Sequence, residues 1–81
     1  MANLVREVDI AFPKELYSGK FANSVTVSHS QNEFILDFTF VAAPVGSIVS
    51  RVILTPRSIR NILSVLEDNI ERYEDTYGEI K

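Results

Sequence analysis

The chain has 81 residues, of which 46% are hydrophobic and 23% charged, with a formal net charge of −3 and no cysteine. This length allows one small core, so we expect residues 1–81 to form a single α+β domain. The lack of cysteine excludes disulfide frameworks and thiolate metal sites. No apolar run is long enough to cross a bilayer and no signal-peptide pattern follows Met1, which together predict a cytoplasmic protein.

The N-terminal segment has the alternation of a half-buried strand. Apolar and charged side chains alternate from Leu4 to Phe12, which predicts a first strand. Pro13 ends this pattern because proline cannot donate a hydrogen bond to a neighbouring strand. Residues 13–20 are predicted to form a loop.

Two further alternating segments predict an antiparallel hairpin. Phe21–Ser28 places apolar side chains on one face and small polar ones on the other, and Glu33–Val41 follows after a polar turn. The second of these strands has a row of four large apolar side chains on one face: Phe34, Leu36, Phe38 and Phe40.

Ile48–Leu54 predicts a fourth strand. On simple alternation, Ile48, Val52 and Leu54 share one face, and Val49, Arg51 and Ile53 share the other.

A long helix is predicted from Thr55 to about Tyr77. Thr55 suits the N-cap and Pro56 the first helical position, while Gly78 sits where a helix-ending glycine belongs. Apolar side chains recur at helical spacing along one line, here called the helix stripe: Ile59, Ile62, Leu63, Leu66, Ile70, Tyr73 and Tyr77.

These elements predict an antiparallel meander of three to four strands with the long C-terminal helix packed on one face. The helix stripe and the row of four apolar side chains are expected to cover each other. The opposite sheet face is too apolar for a solvated surface, and a chain this small needs more burial than one helix supplies. We therefore predict a homo-oligomer, dimer or higher, with this candidate interface: Ile35, Asp37, Val41, Val49, Arg51, Ile53 and Val65.

Asp37 and Arg51 are expected on the same face of adjacent strands. The pair could be a buried ion pair at an interface, an anion-binding arginine, or an ordinary cross-strand pair on a half-exposed sheet. The pattern favours the last reading or a structural role at an interface.

The sequence does not predict an enzyme, a cofactor or a metal site. His29 is the only histidine and lies in a polar turn, without a partner at ligand spacing. Arg57 and Arg60 lie near the helix start, where backbone N–H groups also attract anions, and form a candidate anion contact. The sequence pI of about 5.0 nevertheless argues against nucleic acid as the partner.

Several motifs resemble those of a family of small uncharacterised bacterial and archaeal proteins, the domain-of-unknown-function family 3467. The matching stretches, in chain order, are Gly19-Lys20-Phe21-Ala22-Asn23, Glu33-Phe34-Ile35-Leu36-Asp37-Phe38, Ser50-Arg51-Val52-Ile53-Leu54-Thr55-Pro56, Leu66-Glu67-Asp68-Asn69-Ile70, Tyr73-Glu74 and Tyr77-Gly78-Glu79-Ile80. The resemblance begins at Gly19 and implies no activity, cofactor or catalytic residue.

Three functional hypotheses follow. The first is a non-enzymatic, self-associating protein–protein interaction domain. The second is a holdase chaperone for unfolded polypeptides, by analogy with the outline of a SecB export-chaperone subunit. The third is a nucleic-acid-associated regulator that uses Arg51, Arg57 and Arg60.

Overall fold

The computed structural model describes residues 8–81 and contains one sheet and one long helix. The sheet consists of β1 (Ser24–His29), β2 (Phe34–Ala42) and β3 (Val45–Leu54), paired antiparallel in the order β1-β2-β3. The helix α1 (Pro56–Tyr77) follows β3 directly, and a short 3-10 turn at Lys14–Leu16 precedes the sheet. The predicted α+β meander with a C-terminal helix is thereby confirmed, with three strands.

Only the second half of the strand predicted over Leu4–Phe12 lies among the described residues, and that half does not form a strand. That half, Val8–Phe12, is without regular structure, and residues 4–7 lie outside the described part of the chain. Alternation alone does not make a strand, because a strand also needs a neighbour to receive its backbone hydrogen bonds. Instead the Phe12 ring packs edge-on against Tyr17, with the ring centres 4.9 Å apart, as the chain turns.

The register sorts the side chains onto two faces, because residues directly opposite each other point the same way. The helix-side face, towards α1, has three cross-strand rows: Val25, Phe38 and Ser50; Val27, Leu36 and Val52; His29, Phe34 and Leu54. The far face likewise has three rows: Ser24, Thr39 and Ile48; Thr26, Asp37 and Arg51; Ser28, Ile35 and Ile53. The prediction that Phe34, Leu36 and Phe38 share one face is confirmed.

A β-bulge in β3 changes the predicted face of one residue. Phe38 pairs with Ser50, but the next residue, Thr39, pairs with Ile48, so Val49 has no partner in the register. The extra residue reverses the alternation beyond it. Ile48 therefore lies with Arg51 on the far face, and the prediction that it shares a face with Val52 was wrong.

The Asn23 side chain extends the pairing of β1 with β2 by one step. Its Nδ2 donates to the Val41 carbonyl at 2.9 Å, and its Oδ1 accepts from the Val41 N–H at 2.9 Å. The Asn23 N–H also donates to the Thr39 carbonyl at 3.0 Å. An amide side chain can act as donor and acceptor at once, and here it takes the place of a strand backbone.

Both ends of α1 are built as the sequence predicts. The Thr55 hydroxyl accepts from the Ser58 N–H at 3.1 Å, and Pro56 opens the helix where no N–H is needed. At the other end Gly78 has a φ of 95°, which favours glycine, and its N–H donates to the Glu74 carbonyl at 2.9 Å.

The helix and the sheet do not close over each other. No side chain in residues 8–81 is buried, and α1 packs only sparsely on the strands. Of the helix stripe only Ile59 is half-buried; Leu66 is 54% exposed and Tyr77 74%. The stripe and the apolar row face each other across an open groove at Phe34 and Leu36, but they do not cover each other as expected, since most of the stripe stays exposed. No helix within residues 8–81 is long and apolar enough to span a membrane.

Candidate interaction surfaces

An open apolar groove lies between the first half of α1 and one end of the sheet. Its volume is about 500 Å³. Three sheet residues of the helix-side face form its floor, Val27, Phe34 and Leu36, and its helix wall ends at Leu66. The remaining lining residues are Pro56, Ile59, Arg60, Ile62 and Leu63. A hydrophobic core would fill this groove if α1 lay flat on the sheet.

Beyond the groove, the sheet has apolar surface with no helix above it. We call Phe21, Val25, Phe38 and Phe40 the aromatic patch. Phe21 packs edge-on against Phe40, with ring centres 5.7 Å apart, yet remains 77% exposed. Val25 is 46% exposed and Phe38 half-buried. The sequence does not predict the patch as a binding surface, because the row containing Phe38 and Phe40 has the pattern of a core.

Beyond the groove, the helix likewise has apolar surface with no sheet below it. We call Ile70, Tyr73 and Tyr77 the helix overhang. The two tyrosine rings contact each other with centres 5.0 Å apart, and half or more of each residue is exposed. The overhang and the aromatic patch are thus two separate exposed apolar surfaces.

The far face holds most of the interface predicted from the sequence. Ile35 lies directly opposite Ile53, and Asp37 opposite Arg51, as expected for adjacent strands. Ile53 and Val41 are exposed. The bulge residue Val49 is half-buried beside them. Val65 is exposed but lies on α1, so the sheet separates it from the other six residues.

Asp37 and Arg51 form a two-point ion pair across β2 and β3. Arg51 Nε donates to Asp37 Oδ1 at 2.6 Å, and the second nitrogen donates to Oδ2 at 2.9 Å. Hydrogen bonding from Arg51 lowers the pKa of the Asp37 carboxyl and outweighs the opposing effect of desolvation; the same bond raises the pKa of Arg51. Both guanidinium contacts go to Asp37, which agrees with the cross-strand reading of this pair.

The remaining candidates stay separate from one another. Arg60 lines the groove, and Arg57 is exposed on the first turn of α1. With Arg51 held by Asp37, the three arginines do not act as one free cluster, and anion binding at Arg57 and Arg60 stays a prediction. His29 stacks beside Phe34 at 5.4 Å between ring centres. Within residues 8–81 no group of three or more potential metal-binding side chains comes together.

These features define a class of protein: a small α+β chain in which a three-stranded antiparallel meander runs directly into a long helix and leaves an open apolar groove. The chain belongs to the family described as protein of unknown function (DUF3467), whose model matches residues 1–81. The match confirms the resemblance seen from Gly19 onward and extends it to the residues before Gly19. Neither the curated proteins nor the solved structures compared with the chain gave a significant match.

The motifs that carried the resemblance coincide with the structural devices described above. Asn23 makes the side-chain bridge to β2, Asp37 and Arg51 make the ion pair, and Thr55 with Pro56 begins the helix. Each device fixes strand pairing or the junction between sheet and helix. These motif residues therefore contribute to the fold.

Proposed function

We propose that this protein is a self-associating protein–protein interaction domain without catalytic activity. The observation that carries the proposal is the exposure of its apolar side chains. Twelve of its residues in or beside the sheet and helix illustrate this with more than two-fifths of their surface exposed: Phe21, Val25, Val27, Val41, Val45, Ile48, Ile53, Leu63, Leu66, Ile70, Tyr73 and Tyr77. A single copy would leave all of this apolar surface exposed to water.

The dimensions of the chain support the same proposal. Its radius of gyration is 16.0 Å, whereas a compact chain of this length has roughly 12 Å. Its accessible surface is 7351 Å², against roughly 4,900 Å² for a compact monomer of this mass. The excess is about 2,400 Å² per chain, and an obligate homodimer interface commonly buries 2,000 Å² or more over both partners.

Sedimentation velocity tests self-association directly. We expect a mass of at least twice 9.1 kDa at micromolar concentrations. We also expect the unfolding temperature to rise with protein concentration, because association stabilises only the folded chain. A hundredfold increase in concentration changes the free energy by about 2.7 kcal/mol, which corresponds to roughly 5–10 °C for a dimer of this size. A monomer at high micromolar concentration, with a concentration-independent unfolding temperature, would refute the proposal.

The groove favours a second candidate function, holding an unfolded polypeptide. A cleft of about 500 Å³ with an apolar lining can accept the side chains of an extended segment. The test is whether the protein slows the aggregation of a denatured model client at equimolar ratio. Leu63→Glu, which places a charge in the groove wall, should abolish this effect, whereas Ser64→Glu on the neighbouring polar side of α1 should not. If the parent protein leaves aggregation unchanged, the holdase function is excluded.

A further inference from the structure

The overhang and the patch suggest how two copies fit together. We infer that the chain forms a two-fold symmetric dimer in which the helix overhang of each copy packs on the aromatic patch of the other. This inference rests on the proposed self-association and adds the surface and its occupant, a second copy of this chain.

The first argument is the mismatch inside one chain. The helix wall of the groove ends at Leu66, so the overhang residues Ile70, Tyr73 and Tyr77 have no sheet beneath them. The aromatic patch begins one cross-strand row beyond the groove floor, at Val25 and Phe38, and has no helix above it. Each copy therefore offers one uncovered helix segment and one uncovered sheet segment, which is what reciprocal exchange between two copies requires.

The second argument is the match in size. Eight residues of helix, from Ile70 to Tyr77, span about 10 Å between the first and last Cα atoms. The patch extends about 7 Å along β2 from Phe38 to Phe40, and Phe21 lengthens it beyond Phe40. A helix with its side chains is about 10 Å wide, enough to cover the patch residues, which lie on β2 and on or before β1, two strands about 4.8 Å apart. One helix segment thus suffices to cover one patch.

The third argument is chemical. Each half is an aromatic pair with an aliphatic neighbour: Tyr73 with Tyr77 beside Ile70, and Phe21 with Phe40 beside Val25. Aromatic residues dominate the buried centres of interfaces, and tyrosine can leave its hydroxyl at the wet edge. The two contacts of a symmetric dimer would cover part of the surface excess derived above. A reciprocal contact also closes on itself and ends at two copies.

Cross-linking tests which surfaces meet. Because the chain has no cysteine, single-cysteine variants react only at the introduced position. Copies with Tyr73→Cys are mixed with size-tagged copies with Phe21→Cys, allowed to exchange, and treated with a short bis-maleimide. We expect the mixed dimer to be cross-linked. The control mixture replaces Phe21→Cys by Thr26→Cys on the far face and should give no product. Efficient cross-linking through Thr26 but not Phe21 would overturn the inference.

A charge variant tests the same contact by affinity. Tyr73→Glu/Tyr77→Glu alters side chains that are exposed in one copy, so folding of the single chain is preserved. We expect the dissociation constant to rise by roughly 30-fold or more. The matched control, Asn69→Glu/Thr76→Glu, adds the same charge to α1 away from the stripe and should leave the constant within about threefold.

These outcomes separate the inference from the proposal on which it depends. If the parent chain is a monomer, self-association fails and the docking mode fails with it. If the parent self-associates and Ile53→Glu disrupts it while Tyr73→Glu/Tyr77→Glu does not, self-association stands and the far face replaces the proposed contact. A mass that grows beyond two copies with concentration would also overturn the reciprocal arrangement.

Discussion

The sheet and the helix of this protein differ in how much of their apolar surface is covered within one chain. In the sheet, the backbone register, the Asn23 side-chain bonds and the Asp37–Arg51 ion pair all join neighbouring strands. The central strand β2 is the best-covered segment among the described residues. The helix is equally well capped, but its stripe faces a gap for much of its length. One chain by itself therefore forms complete strands and a capped helix, but it does not bury a hydrophobic core among the described residues.

This difference makes a general prediction about the effect of protein concentration. Changes within the sheet should cost the same at every concentration, because they affect contacts inside one copy. Changes in the stripe should cost more where the assembly is populated. Four experiments examine this contrast, from the largest expected effect to the smallest.

Leu66→Glu is expected to have the largest effect. Leu66 is at the last position of the groove wall and is 54% exposed in one copy. A charge there should destabilise the assembly by about 2–4 kcal/mol, measured by sedimentation equilibrium and by unfolding at two concentrations. Ser64→Glu provides the control on the polar side of the helix. If both variants stay within about 0.5 kcal/mol of the parent, the stripe is an ordinary solvent-facing surface.

Asn23→Ala should destabilise the folded chain by about 1–2 kcal/mol, because it removes both side-chain bonds to Val41. Asn23→Asp should cost at least as much, since a carboxylate oxygen would then face the Val41 carbonyl. Urea unfolding is the measurement, and the loss should be equal at low and high protein concentration. A loss that grows with concentration would place Asn23 in the interface rather than in the sheet.

Thr55→Ala should cost about 1 kcal/mol by removing the cap on the Ser58 N–H. Thr55→Ser keeps the hydroxyl and should unfold close to the parent in the same thermal scan. Because Thr55 joins the sheet to the helix, its substitution also shows whether the start of α1 is fixed locally. Equal destabilisation by serine and alanine would show that the hydroxyl is not the source of the effect.

The smallest effect is expected from pH. The pKa of Asp37 is lowered in the folded chain by Arg51, so the pair contributes stability that is fully present above the unfolded pKa of about 3.9. This contribution is lost as the pH falls through the lower folded pKa. Asp37→Asn and Arg51→Gln should each flatten the decline in the urea midpoint between about pH 5 and pH 2. An unchanged slope in both variants would show that other carboxyls govern acid unfolding.

The elements could be predicted from the sequence because their signals are local. Alternation around Phe34 and Phe38, the Thr55-Pro56 start and the Gly78 end each specify structure within a few residues. Pairing of Asp37 with Arg51 also followed from the order of two adjacent strands. These features depend on backbone geometry and near neighbours, which the pattern of side chains encodes directly.

The packing that could not be predicted depends on the distance between the helix and the sheet, which the pattern of apolar and polar side chains does not encode. Amphipathic stripes on α1 and on β2 show that both surfaces need cover, but not that one covers the other within the same copy. The bulge at Val49 has no marker in the sequence, since neither glycine nor proline stands there. The role of Asn23 was missed because Asn23 was placed inside the strand predicted over Phe21–Ser28, whereas β1 begins at Ser24 and leaves the Asn23 amide at the strand end.

The bulge also bears on how related sequences should be aligned. A homologue lacking the residue at position 49 would restore a straight ladder, and its residues equivalent to 45–48 would keep their partners in β2 and therefore their faces. Its polar and apolar residues there should then follow the same pattern as in this chain, whereas a gap placed two or three positions away would match intervening side chains that point in opposite directions. Position 49 is therefore where an insertion or deletion belongs when family members differ in the length of this hairpin.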